Sequence, residues 1–133
     1  LLGRPTDSLK LYKKARTIFQ RERDFYGLAY GNCGMGNALR RLAKYRQAIQ
    51  FYNKAAGLYR RLGDQVNEGY VLWGRFVCLT ALAENKRAAL DLARAVSLFT
   101  KAKDERGLAL LHVWAGRPAR GLQSLALREA RCS

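Results

Sequence analysis

Apolar positions along this chain recur at three and four residues. Ile49, Tyr52, Ala55, Ala56 and Tyr59 fall on one side of a 3.6-residue period, and Ala89, Leu92, Ala95, Val96 and Phe99 repeat the pattern. Such spacing marks helices that bury one face. The punctuation between the runs agrees. Gly63 followed by Asp64 ends one helix and caps the next, since Gly is favoured at C′ and Asp at the N-cap. Gly3 before Pro5 and Gly116 before Pro118 act alike, with proline in a first-turn position. The pattern predicts seven helices, over residues 5–21, 25–41, 45–61, 65–82, 85–101, 104–115 and 118–131.

A second periodicity lies above the first. Shifted by 40 residues, the chain falls on itself: Ala15, Ala55 and Ala95 align, as do Ile18, Leu58 and Leu98, then Phe19, Tyr59 and Phe99, and Asp24, Asp64 and Asp104. Tyr12, Tyr52 and Leu92 continue the register. Internal similarity at this period indicates stacked helix pairs, each unable to bury both its faces alone. The expected organisation is a single domain over 1–133: an orphan helix (1–22), full repeats at 23–62 and 63–102, and a shortened terminal repeat at 103–133. The chain opens at Leu1 rather than Met, so it is expected to be part of a longer protein.

The stretch Tyr30 to Leu42 holds Gly31, Gly34 and Gly36, and at first sight suggests a phosphate-binding loop. The period argues otherwise. Forty residues on, Gly31 becomes Val71 and Gly36 becomes Phe76, while Gly34 returns as Gly74 in an equally helical pattern. Small residues at these places let helices approach closely, at about 1 kcal/mol each in helix propensity.

The unit resembles a tetratricopeptide repeat. Met35-Gly36-x-x-Leu39 matches the first helix of that pattern, and Ala48-x-x-x-Tyr52 with Ala55 matches the second. The Leu62-Gly63-Asp64 joint and the 40-residue length resemble the longer subclass, typified by Leu-Gly-Asn adaptors and bacterial regulatory domains. The sequence departs from the pattern at Arg75 and Phe76, which stand where the preceding unit has Met35 and Gly36. The resemblance implies an all-α, right-handed superhelical solenoid of antiparallel helix pairs, and a protein-protein interaction scaffold without catalytic activity. It implies that the even-numbered helices line a concave groove that takes an extended, acidic peptide. By position, the groove residues are Tyr30, Cys33, Asn37, Arg40 and Arg41, then Tyr70, Trp73 and Val77, then Arg106. An Asn side chain can pair with both groups of a peptide unit, and Arg can clamp a carboxylate. The orphan first helix implies exposed apolar surface around Leu9, Tyr12 and Ile18, suited to end-to-end self-association.

Charge adds one alternative. Lys and Arg number 25 against 10 Asp and Glu, a net of +15. This favours acidic partners. It keeps open a nucleic-acid backbone role for the cations of the odd-numbered helices (Lys10, Lys13, Lys14, Lys54, Arg60, Arg61, Arg94). No pair of polar positions recurs as a base-reading code, since Asn37 becomes Val77 one period later. The cysteines, Cys33, Cys78 and Cys132, are odd in number and lack Cys-x-x-Cys spacing, so neither a disulfide scaffold nor a zinc site is expected, and a reducing cytoplasm is. No Gly-Lys-Ser/Thr, paired histidine or nucleophile with a recognisable base appears, and no cofactor or metal is expected. No apolar run reaches the roughly 20 residues of a membrane span.

Overall fold

The computed structural model describes residues 4–116. All regular structure among them is helical: α1 (Pro5–Arg21), α2 (Phe25–Arg41), α3 (Tyr45–Leu62), α4 (Gln65–Ala81), α5 (Asn85–Lys101) and α6 (Glu105–Gly116). Helices α1, α2 and α5 coincide with the sequence reading, α3 and α4 differ by a residue at one end, and α6 by a residue at each end. The seventh predicted helix, 118–131, lies outside the described residues.

The joints share one geometry. Arg23, Ala43, Gly63, Ala83 and Lys103 adopt left-handed backbone, with φ of 54°, 60°, 73°, 60° and 54°. After each, the next N–H reaches back five residues: Asp24 to Phe19, Lys44 to Leu39, Asp64 to Tyr59, Glu84 to Leu79 and Asp104 to Phe99, at 2.8–3.0 Å. These bonds satisfy carbonyls that a helix end leaves without partners. Only Gly63 reaches this conformation without steric cost. Asp24 and Asp64 then cap the following helices, their carboxylates accepting from the N–H of Gly27 (2.9 Å) and Asn67 (3.0 Å).

Such short joints fold each helix back against its predecessor, so consecutive helices pack in neighbouring pairs from α1 to α6. The even-numbered helices also touch: α2 meets α4, and α4 meets α6. In consequence α2 and α4 are enclosed. Residues 31–40 of α2 are buried without interruption, and so are residues 68–79 of α4 apart from half-buried Arg75. Helix α1 contributes no fully buried residue.

Glycine explains how closely the helices approach. Tyr52 of α3 is fully buried. A methyl group added at Gly36 or at Gly74 would stand 2.7 Å from its ring. The aromatic side chain therefore lies between two helices that are bare at the points of contact. One period earlier, Gly34 faces Tyr12 in the same manner as Gly74 faces Tyr52. Likewise Gly27 faces Phe19 as Gly107 faces Phe99. Gly34 and Gly36 of the Tyr30–Leu42 stretch are thus seats for aromatic rings inside a helix, while Gly31 faces Arg16.

Candidate functional site

Three of the sequence-predicted groove residues of α2 and α4, Asn37, Arg40 and Trp73, converge on one polar cluster. Arg40 Nε donates to the Tyr52 hydroxyl at 3.0 Å, and that hydroxyl donates to Asn37 Oδ1 at 2.6 Å. The Arg40 guanidinium lies 5.3 Å from the centre of the Trp73 ring, a cation–π distance. Asn37, Arg40 and Trp73 come from helices brought side by side by the close packing around Tyr52. All are buried, Asn37 and Arg40 at 1% and 3% exposure. Burial of a guanidinium is costly unless its donors are engaged. The Nδ2 donor of Asn37 is itself buried and has no acceptor.

This placement corrects the expectation of an open groove lined by Cys33, Asn37, Arg40, Tyr70, Trp73 and Val77. All six are buried, and four of them belong to the apolar core. The physical reason is the enclosure of α2 and α4, which sequence position on a helix does not reveal. Tyr70 packs edge-on against Phe99, with ring centres 5.0 Å apart. Of the remaining predicted residues, Tyr30 is 43% exposed, Arg41 half-buried and Arg106 exposed.

What is accessible near them is aromatic. Phe25 and Tyr26, on the first turn of α2, are 54% and 52% exposed. Tyr30 stands one turn further along the same helix and packs on Tyr12 of α1 at 5.8 Å. Tyr26 packs on Tyr59 of α3 at 6.5 Å. Burial, then Asp64, then Tyr30 and Tyr26 push the Tyr59 phenol up to about 12. The tyrosines therefore form one cluster whose inner member is buried and whose outer members meet solvent. The sequence reading missed Phe25 and Tyr26. Their signal was available: large aromatics directly after the Asp24 cap, on a first turn with few neighbours.

On the self-association face, Ile18 is exposed (47%) as expected. Leu9 and Tyr12 are half-buried, Leu9 against the core and Tyr12 on Tyr30. The most exposed apolar residue of α1 is Leu11, at 68%.

A further polar system, on α3, α4 and α5, was also missed. Arg75 Nε and Nη2 grip both oxygens of Asp91 at 2.7 and 2.6 Å, while its Nη1 donates to Asn53 at 2.6 Å. Glu68, nearly inaccessible, accepts from Arg60 at 3.1 Å and Arg94 at 3.4 Å. Arg75 is the departure from the repeat pattern noted above, and Asp91 accounts for it.

Cys33 is in a disulfide, against the expectation of reduced thiols. Cys78 is a buried free thiol that desolvation pushes up to about 12, with the nearby Arg40 charge opposing. No helix among the described residues is long and apolar enough to cross a membrane. Comparison with protein-family models, curated proteins and solved structures returns no match.

Proposed function

We propose that this chain is a non-catalytic scaffold of the tetratricopeptide type, a right-handed superhelical solenoid that binds an extended, acidic segment of a partner protein. Support for the repeat reading comes from geometry that recurs at the 40-residue period. The Gly34–Tyr12 and Gly74–Tyr52 seats are one example, and the left-handed joints at Arg23, Gly63 and Lys103 are another. Contact between successive even-numbered helices is what a shared concave wall requires.

The observation that carries the binding surface is the exposed aromatic edge of α2: Phe25, Tyr26 and Tyr30. Aromatic side chains give rigid contact area at low entropic cost and dominate protein interfaces. Exposed Arg106 and half-buried Arg41 add positive charge for an acidic partner. Asn37, Arg40 and Trp73 serve inside, fixing α2 against α3 and α4. An acidic-peptide array tests this. Tyr26→Ala with Tyr30→Ala is expected to weaken every bound peptide by roughly tenfold or more, the scale of a hot-spot loss. Full binding by that double variant would remove the surface.

The second reading, nucleic-acid backbone binding, is favoured by one observation: Lys10, Lys13, Lys14, Lys54, Arg60, Arg61 and Arg94 are all exposed. It requires log affinity for an oligonucleotide to fall linearly with log salt. Failure to bind heparin at low salt would exclude it. The exposed Leu11 and Ile18 carry the proposed self-association of α1.

A further inference from the structure

A cleft of about 490 Å³ is lined by residues of α3, α4 and α5. Buried Leu72 and Leu79 line it from α4, and exposed Leu90 lines it from α5. Four arginines from three helices surround it: Arg60, Arg75, Arg87 and Arg94. This combination of confined volume, apolar lining and convergent cations is that of a small-ligand site.

The arginines are held in place rather than free on the surface. Arg75 spends three donors on Asp91 and Asn53. Arg60 and Arg94 share the single buried carboxylate of Glu68. Arg87 shares Glu84 with Arg46, at 2.8 and 3.2 Å. Five guanidinium groups thus face three carboxylates, leaving an excess of positive charge. Arg60, Arg87 and Arg94 each make one hydrogen bond to these acids, through Nε, Nη1 and Nη2 respectively. A guanidinium has five N–H donors, so each keeps most of its fork for another acceptor. Their side chains are 59%, 56% and 46% exposed, within reach of a ligand from solvent.

We propose that this cleft binds a compact anion with adjacent phosphate groups, of the pyrophosphate or nucleoside-polyphosphate class. Guanidinium forks match phosphate oxygens in pairs, and arms already held by buried Glu68 and half-buried Glu84 lose less entropy on binding than free ones. The apolar lining suits the uncharged part of a nucleoside. The proposal is independent of the peptide surface on α2.

The test is calorimetric titration of the whole chain with pyrophosphate and with adenosine triphosphate at about 0.15 M salt, where long-range charge effects are screened. Saturable one-to-one binding is expected for both, tighter for the nucleotide. Arg94→Gln and Arg87→Gln are each expected to weaken it roughly tenfold, the scale of one charge-assisted hydrogen bond. Lys13→Gln, the same charge change on α1, is expected to leave it intact. Circular dichroism checks folding. If Arg94→Gln melts early, Arg87→Gln decides, because its partner Glu84 also has Arg46. Absence of saturable binding overturns the proposal, as do equal losses in Arg87→Gln and Lys13→Gln. Binding of single-stranded oligonucleotide that pyrophosphate cannot displace also overturns it, in favour of an extended nucleic-acid track.

Discussion

Tyr12 and Tyr52 stand one period apart and each faces a glycine of the helix after its own, Gly34 or Gly74. Yet Tyr52 is fully buried and Tyr12 only half-buried. The difference lies in what stands on the other side. Tyr52 belongs to α3, which has α2 before it and α4 after it, and its ring is also bounded by Gly36. Among the described helices, Tyr12 belongs to the terminal one, which packs on α2. Identical local sequence logic therefore gives a fully buried ring in one place and a half-buried ring in the other.

The largest expected effect breaks this contrast at its glycines. Gly74→Val has no space to enter, because Tyr52 cannot retreat from Gly36, and it should destabilise by about 3 kcal/mol, the upper end of overpacking costs. Gly34→Val should cost about 1 kcal/mol, because half-buried Tyr12 is less enclosed than Tyr52. Urea melts of both variants measure the gap. Equal losses would mean that enclosure does not set the outcome.

Next comes Tyr52→Phe. It leaves Asn37 Oδ1 and Arg40 Nε without the hydroxyl they share, and should cost about 1–3 kcal/mol. Tyr26→Phe, at an exposed position, should stay within about 0.5 kcal/mol.

An alkaline titration sharpens the same comparison. Tyr59 occupies the interior place equivalent to half-buried Phe19, and burial first of all raises its phenol from 10.0 to about 12. Cys78 rises from 9.0 to about 12. Both are more easily deprotonated when unfolded. The stability they confer is complete below pH 9 and is lost as pH rises toward 12. Unfolding midpoints measured from pH 8 to pH 11.5 should fall less steeply in Tyr59→Phe with Cys78→Ala. An unchanged slope would assign the decline to other groups.

The smallest effect on stability is expected from Leu11→Ser with Ile18→Ser, within about 0.5 kcal/mol for exposed positions. Sedimentation at high concentration should show the parent chain associating and the variant less so. A parent that stays monomeric would remove the proposed role of α1.

Much of the helical frame was legible from the sequence. Gly63-Asp64 and the Asp24 cap marked joints, and the three-and-four spacing marked the helices between them. The joints at Ala43 and Ala83 were harder, because alanine gives no sign of left-handed backbone. Periodicity also read Gly34 and Gly36 correctly as packing positions. The resemblance to tetratricopeptide repeats put Asn37, Arg40 and Trp73 on equivalent helix faces and implied an accessible wall. A helical wheel shows which residues share a face and is silent on how many neighbours cover that face. Arg75 with Asp91, and Arg60 with Glu68 and Arg94, escaped notice for a related reason: their partners lie on other helices.

The sequence by itself determined the helices, their joints and the 40-residue register, because those follow from local backbone preference and from the spacing of apolar side chains. Only the tertiary structure decided which members of equivalent positions are buried. Burial depends on the number of helices stacked around a site, and that number is a property of the assembled fold. It made Asn37 and Arg40 internal, left Phe25, Tyr26 and Tyr30 at the surface, and drew four arginines around one cleft.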